Sequence, residues 1–259
     1  MDKHRALVTV DAEQFSAHPG ALQPDLHMAI RRTVAEACGR AGLADAWGAA
    51  RFLQSTGDGL LAVLPAETLP ALVDRFPRAL QDALDEAAPG LRAAGVRLRL
   101  RVALHVGLVD DERDEAPGIA TVTNEVCRLV DSKPVRDALN DSDPDVTYTA
   151  ALLSEEVFRT YVADGHTRLR PSQLTEVKVE VKQFRRNAYL WVPTPSRRPD
   201  GETPPAGDAP STPPSDPPYT PPAGTVINGV TISGQATRNQ IGNTFHGPTT
   251  FGDVRTGSS

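Results

Sequence analysis

The chain has 259 residues, 39% of them hydrophobic, and a formal net charge of −6, so it can form one large or two small domains with an apolar core. An acidic balance without a clustered basic patch argues against a nucleic-acid-binding protein. No apolar run approaches the roughly 20 residues that span a bilayer, so we expect no membrane segment. The polar N-terminus lacks the apolar core of a signal peptide.

The two cysteines indicate the compartment. Cys38 and Cys127 lie in neither a metal-ligand spacing nor a Cys-x-x-Cys motif. We expect both to be reduced core residues of a cytoplasmic protein, since disulfides are rare in that compartment.

Alternating strand and helix patterns predict a first domain over residues 1–192. In chain order they predict a strand over 5–11, a helix over 24–42, a β-hairpin over 52–64, a helix over 68–88, a strand over 96–107, an acidic loop over 110–117, a helix over 122–139, a strand over 146–150, a helix capped by Ser154, and strands over 174–181 and 187–192. Pro77 and Pro134 are expected to kink or divide their helices. This order predicts an α/β (α+β) fold, a ferredoxin-like core with a mixed, mostly antiparallel sheet and helices.

The hairpin over 52–64 contains a tight Thr-Gly-Asp-Gly turn. Gly57 and Gly59 can adopt positive φ angles, so we expect Asp58 at the tip of the turn. A second aspartate, Asp11, ends the first strand. If the two carboxylates converge they would suit a divalent metal such as Mg²⁺, although an aspartate in a glycine-flanked turn is more often only a turn residue.

The strand over 96–107 alternates strictly between apolar and polar residues, as a strand with one apolar face does. We interpret Arg97, Arg99 and Arg101 as a solvated face of this strand. His105 is expected to satisfy a hydrogen bond near the strand end.

Several short motifs occur in the order found in the class III nucleotide cyclase homology domain, the family of the adenylyl and guanylyl cyclases. The sequence resembles that family over residues 5–192. The matching residues are Asp11, Phe15 and Ser16 after the first strand, Gly57 and Asp58 in the hairpin, Arg101, His105 and Gly107 in the long strand, Val122, Asn124 and Arg128 in the next helix, and Val181, Lys182, Tyr189 and Leu190 in the last strands. Relative to the family pattern, one extra residue separates Val122 from Asn124.

The resemblance implies that a 3′-hydroxyl attacks the α-phosphate of a nucleoside triphosphate, with pyrophosphate leaving and a 3′,5′-cyclic nucleotide as product. Two Mg²⁺ or Mn²⁺ ions would act as a template and charge clamp. By the same resemblance, Asp11 and Asp58 bind both ions, Asn124 orients the ribose, and Arg128 stabilises charge on the α-phosphate.

The resemblance also implies that Lys182 or Arg185 contacts the terminal phosphates. Asn124 and Arg128 are four residues apart, so they share one helix face and can reach one ligand together. Arg128 is alternatively an ordinary surface residue of an amphipathic helix. In this family the two halves of the site come from different protomers, so a head-to-tail homodimer is expected.

Two positions depart from the family pattern. Gln54 occupies the base-selecting position, where adenylyl cyclases have lysine and guanylyl cyclases glutamate. Pro117 occupies the second such position and offers no side-chain hydrogen bond. The base is therefore not predicted, and a catalytically inactive nucleotide-sensing or adaptor module is the alternative to an enzyme.

The amino-acid composition of the chain changes after the first domain. Residues 193–224 are rich in Pro, Ser, Thr and Gly and predict a disordered spacer. Residues 225–259 are β-prone but too short to fold alone as a sheet. Gln240, Ile241 and Gly242 resemble the core of RHIM-like motifs in bacterial amyloid signalling sequences. That resemblance implies cross-β assembly with a partner protein carrying a matching motif. A disordered tail and a strand that augments a partner's sheet are the alternatives.

The helix end Arg128-Leu129-Val130-Asp131 resembles a set of bacterial cyclase-like domains found near signalling and defence modules. The first hypothesis is therefore a cyclase-like signalling enzyme that is clustered by its tail in a bacterial defence or stress circuit.

Overall fold

A seven-stranded mixed sheet forms the centre of the domain in the computed structural model, which describes residues 1–112, 118 and 120–199. Its strands are β1 (Lys3–Ala12), β2 (Phe52–Ser55), β3 (Gly59–Pro65), β4 (Leu100–Val109), β5 (Thr149–Ser154), β6 (Thr175–Val181) and β7 (Phe184–Trp191). The spatial order is β2-β3-β1-β4-β5-β7-β6, and only the β4–β5 pair is parallel. The predicted fold class, with its mostly antiparallel sheet, is confirmed.

Helices cover both faces of this sheet. They are α1 (Gln23–Arg40), α2 (Ala44–Gly48), α3 (Leu69–Asp74), α4 (Phe76–Ala93), α5 (Thr121–Val130), α6 (Lys133–Asn140) and the single turn α7 (Glu155–Val157), which continues into a π-helix over Phe158–Ala163. The apolar residues of α1, α3 and α4 pack on one face of the sheet, and those of α5 and α6 on the other. No helix in the described ranges has both the length and the apolar character that a bilayer crossing requires.

Alternation along β1 decides which helix layer each of its side chains meets. Val8 and Val10 face the α1, α3 and α4 layer, whereas Leu7 faces the α5 and α6 layer. Because successive strand residues point to opposite faces, Asp11 points toward the same layer as Leu7.

Both prolines divide their helices, as expected. Pro77 lies in the first turn of α4 and Pro134 in the first turn of α6. Proline is tolerated there because the first-turn N–H groups have no partner within the helix. Each predicted long helix is therefore two shorter helices.

Strand boundaries differ from the prediction where neighbouring strands decide them. β4 begins at Leu100, which pairs with Ala12 of β1 and Thr149 of β5, so the preceding residues have no ladder to join. β7 begins at Phe184 and not at the predicted 187. Lys182 adopts a left-handed φ of 55°, which closes the hairpin before residue 184.

The expectation of a solvated arginine face on β4 is wrong for two of the three arginines. Arg97 is exposed, but Arg99 and Arg101 are only 4% and 5% exposed. β4 lies between β1 and β5 with helices on both sides, so both of its faces are buried. Arg99 pairs with Glu13 at 3.1 Å, and Arg101 pairs with Asp11.

The ordered chain continues beyond β7. Arg198 donates through its backbone N–H to the Asp141 carbonyl at 2.9 Å, and Thr147 donates to the Thr194 carbonyl at 2.6 Å. These contacts hold residues 194–198 on the surface of the domain. The rest of the predicted spacer and the tail, with Gln240, Ile241 and Gly242, lies outside the described residues.

Replacement of Arg99 by leucine tests its role as a buried counterion. The substitution leaves the Glu13 carboxylate without its partner and removes the bonds from the guanidinium to Ser142 and Thr147. We expect a loss of roughly 3–5 kcal/mol in the free energy of unfolding, measured by urea denaturation. Arg97→Leu, in the same segment before β4 but exposed, should change it by less than about 1 kcal/mol. Equal losses in the two variants would contradict the assignment.

Candidate metal centre

Asp11 and Asp58 come together where β1 meets the turn between β2 and β3. Asp11 lies opposite Gly59 in the β1–β3 pairing, and the Ala12 N–H donates to the Asp58 carbonyl at 3.0 Å. The two carboxylates are close enough for the charge of Asp58 to act on the pKa of Asp11. The convergence expected from the sequence is therefore present.

Two glycines allow this close approach. Gly57 has a φ of +96°, and a Cβ on Gly59 would lie 2.0 Å from the Val10 carbonyl oxygen. A side chain at Gly59 would force the hairpin away from β1 and carry Asp58 with it. These glycines set the distance between the carboxylates as well as the shape of the turn.

The electrostatics at Asp11 combine burial with charges of both signs. Burial is the largest influence, and together with the nearby Asp58 charge it raises the pKa of Asp11 from 3.8 to about 7, against the opposing effect of Arg101. Arg101 donates from Nη2 to Oδ2 of Asp11. It lies opposite Asp11 in the β1–β4 pairing. The sequence interpretation missed this ion pair.

A divalent ion suits the donors that this site presents. Magnesium is usually held by one or two carboxylates, with water and substrate phosphates filling its other positions. Asp11 and Asp58 provide that smaller set of oxygens, and their mutual repulsion would be relieved by a cation. Within the described residues no group of three or more His, Cys, Asp or Glu side chains could hold a metal ion, so water and phosphate oxygens would complete the coordination.

The two α5 residues lie on one exposed helix face. Asn124 and Arg128 are both exposed. The N-terminus of α5 is fixed by Thr123, whose hydroxyl donates to the Ala120 carbonyl at 2.6 Å. A Cβ on Gly107 would lie 2.4 Å from Val122, so this glycine lets α5 lie directly on β4.

Within one chain the structure does not bring Arg128 to the aspartate pair. The Arg128 guanidinium lies 5.7 Å from the centre of the Phe184 ring, at the start of β7. Strands β4 and β5 separate β1 from β7, which is about 14 Å at the usual strand spacing. The Arg128 guanidinium thus points toward β7. The helix itself runs close to the aspartates, because burial and then the Asp11 charge raise the pKa of the neighbouring Cys127 thiol to about 11.

The two basic residues expected at the terminal phosphates lie in and just after the β6–β7 turn. Lys182 is exposed in the β6–β7 turn, and Arg185 is exposed on β7. Alternation along β7 places Arg185 on the face opposite Phe184. Arg186 instead stacks on the same Phe184 ring as Arg128, at 5.5 Å. The sequence patterns missed Arg186 because they predict that the last strand begins at residue 187. They therefore place Arg186 in a turn and not on a face of β7.

His105 lies in a buried polar cluster beneath α5. It is 5% exposed, its Nε2 lies 3.3 Å from Glu125, and its Nδ1 lies 3.7 Å from Glu156. Burial lowers the pKa of His105, against the two carboxylates that raise it. These contacts give the histidine a structural environment, as expected.

Gln54, which the family resemblance implies is a base-selecting position, lies on the same side of the sheet as Asp11. Gln54 is exposed on β2, two residues after Phe52, which packs against the α5 and α6 layer. Pro117 lies outside the described residues. Gly118 packs on Phe52, since a Cβ there would lie 2.5 Å from the ring.

The raised pKa of Asp11 can be measured directly. We expect the Asp11 carboxyl to titrate near pH 7 in metal-free protein and nearer its ordinary range in Asp58→Asn, because a negative charge is removed. The raised pKa favours the folded state when Asp11 is protonated. This stabilisation is fully present below pH 3.8 and is lost as the pH rises through about 7.

Carboxyl carbon chemical shifts followed by NMR across this pH range would report the midpoint. Asp45→Asn, on the short helix α2, is the matched control and should leave it unchanged. A midpoint that does not change in Asp58→Asn would show that the two carboxylates do not share one site.

Comparison with known proteins supports the fold. No protein-family model matches the sequence, and no curated protein matches it significantly. Two solved structures of a bacterial light-regulated adenylyl cyclase are similar, each with a TM-score of 0.52. One is 13% identical over 76% of this chain and 54% of its own. The other is 14% identical over 75% of this chain and 93% of its own. The chain thus spans about half the length of the first. The domain has the fold of these adenylyl cyclase structures, as the sequence motifs implied.

Proposed function

We propose that the domain is a nucleotidyl cyclase that forms a 3′,5′-cyclic nucleotide from a nucleoside triphosphate at a homodimer interface. The observation that carries this proposal is the convergence of Asp11 and Asp58 at a strand end and a hairpin tip. It occurs in a fold shared with solved adenylyl cyclases. The position of the Arg128 guanidinium on the Phe184 ring, and not at these aspartates, supports the dimer.

The reaction requires one bond to form and one to break. The ribose 3′-oxygen forms a bond to the α-phosphorus, the bond from that phosphorus to the bridging oxygen breaks, and pyrophosphate leaves with the electron pair. The hydroxyl proton passes to solvent. Bound Mg²⁺ or Mn²⁺ would lower the pKa of the 3′-hydroxyl and neutralise phosphate charge.

Each protein residue has one role in this scheme. Asp11 and Asp58 hold the cations, and the burial of Asp11 strengthens its interaction with charge. Asn124 orients the ribose through its side-chain amide. The Arg128 guanidinium, held on the Phe184 ring, donates to the α-phosphate, where its planar fork matches two oxygens.

A second copy of the chain would supply the other half of each site. In a head-to-tail dimer the aspartates of one protomer face Asn124 and Arg128 of the other. Two-fold symmetry then gives two equivalent sites. Arg186 shares the Phe184 ring with Arg128, which makes it the better candidate than Arg185 for contact with the terminal phosphates on this face. Lys182, in the turn beside it, is the second candidate.

The glutamine at position 54 supports a second candidate function. A side-chain amide can donate and accept hydrogen bonds, so Gln54 does not select between adenine and guanine as a lysine or glutamate would. A nucleotide-sensing or adaptor module that binds a nucleotide without converting it would use the same fold and the same residues. The retained aspartate pair favours the enzyme.

Residues 225–259 would promote formation of the dimer. We propose that Gln240, Ile241 and Gly242, which follow the Pro-rich segment in sequence, recruit a cytoplasmic partner protein with a matching motif. Clustering would raise the effective concentration of half-sites and so favour dimers. The support for this is the sequence pattern of residues 225–259.

The catalytic proposal predicts a product that depends on Asp58. The full chain incubated with Mn²⁺ and each of ATP, GTP, CTP and UTP should yield a cyclic nucleotide that mass spectrometry identifies. Asp58→Ala should lower the rate at least about 100-fold, because a metal ligand is lost. Asp45→Ala is the exposed control. Measurable nucleotide binding without product from any of the four would favour the sensor.

The dimer proposal predicts complementation between two inactive variants. Asp58→Ala and Arg128→Ala damage opposite halves of the site, so each should be inactive alone. Mixed dimers contain one intact site of two, and about half of randomly mixed dimers are mixed. Activity should therefore return to about a quarter of the unmodified level. A mixture that stays inactive while the variants exchange subunits, shown by light scattering of tagged chains, would refute the shared site.

A further inference from the structure

A cavity of about 560 Å³ opens beside α3 and α4, on the face of the sheet opposite the aspartate pair. Its apolar wall consists of Pro70, Ala71 and Leu169. The volume lies in the range of small-molecule sites. Because α3 and α4 pack on the other side of the sheet from α5, the cavity is separate from the proposed catalytic site.

Three arginines line the rest of this cavity. Arg75 reaches it from the junction of α3 and α4, Arg78 from α4 and Arg168 from the loop after the π-helix. Within the described ranges, no ion pair joins any of these three guanidinium groups to a carboxylate. Three unpaired positive groups around one cavity, in a chain of net charge −6, favour an anionic ligand.

The one carboxylate in the lining is already engaged. Asp74 accepts hydrogen bonds from the backbone N–H of Arg168, at 2.8 Å to each carboxylate oxygen, and of Leu169 at 2.9 Å. It therefore fixes the loop that carries Arg168 in place. The lining as a whole keeps a formal charge of +2.

Two of the arginines are positioned before any ligand arrives. The Arg78 guanidinium lies 4.9 Å from the centre of the Trp191 ring, a cation–π geometry. The Arg75 guanidinium occupies the space over Gly42, where a Cβ would lie 3.2 Å from Nη1. Prepositioned groups bind with a smaller loss of side-chain entropy.

We propose that this cavity binds a small organic phosphate monoester dianion, such as a nucleoside monophosphate. The phosphate accepts hydrogen bonds from Arg75, Arg78 and Arg168, since guanidinium forks match phosphate oxygens. A phosphate monoester carries nearly two negative charges at neutral pH, which matches the formal charge of the lining. The nonpolar part of the ligand lies against Pro70 and Leu169. The proposal goes beyond the cyclase activity and does not depend on it.

Trp191 provides the signal for a binding test, because Arg78 lies on its ring. In full-length Trp47→Phe protein, which leaves Trp191 as the sole tryptophan, AMP should change the fluorescence saturably. Adenosine should have no effect, and inorganic phosphate should bind more weakly. The response to AMP should persist in Asp58→Ala, which separates this cavity from the catalytic site.

Two substitutions assign the response to the cavity. Arg168→Gln and Arg75→Gln should each raise the dissociation constant of AMP about tenfold or more, with unchanged melting temperatures. Arg170→Gln removes an exposed arginine that is outside the lining and should leave binding unchanged.

Three results would overturn the proposal. The first is the absence of saturable binding of AMP and phosphate. The second is equal weakening by Arg168→Gln and Arg170→Gln, which indicates nonspecific attraction. The third is displacement of AMP by an acidic peptide that binds more tightly, which would assign the cavity to a protein partner.

Discussion

The pairing of β1 with a strand on each side is the constraint on which the candidate site depends. Asp11 lies opposite Gly59 of β3 on one side and Arg101 of β4 on the other. This pairing brings a carboxylate, a hairpin tip with Asp58 and a guanidinium to one place. A shift of one residue in the register would turn Asp11 to the other face of the sheet, so the packed faces of β1 hold the charge in position.

The buried charged side chains of this domain lie beside side chains of opposite charge. Arg99 and Glu13 neutralise each other, and Arg101 neutralises Asp11 only in part, because Asp58 adds a second negative charge. Burial of a lone charge is costly, so the aspartate pair has a continuing need for positive charge that a divalent ion would meet. The Arg128 guanidinium lies instead on the Phe184 ring, so within one chain it is not the cation that neutralises the aspartates.

The order of the strands and of the long helices, and the aspartate pair, could be predicted from the sequence because local patterns carry that information, whereas the short helix α2 was not predicted. Apolar runs, prolines in first helical turns and glycines around Asp58 are read from neighbouring residues. The partners of Arg99 and Arg101 could not be predicted, since they depend on strand register and on helices packed over β4. Likewise, which faces of the sheet Arg185 and Arg186 occupy depends on where the β6–β7 turn closes. Lys182 closes this turn in a left-handed conformation that sequence patterns seldom indicate for lysine.

The most direct test of the account is the position of manganese in a crystal of the chain grown with Mn²⁺ and a nucleoside α-thiotriphosphate. Anomalous scattering would locate the metal without reference to any assumed role. The account predicts manganese at the carboxylates of Asp11 and Asp58, with Arg128 of the second protomer facing the α-phosphorus. A manganese ion bound elsewhere, with Arg101 still the sole cation on Asp11, would contradict it.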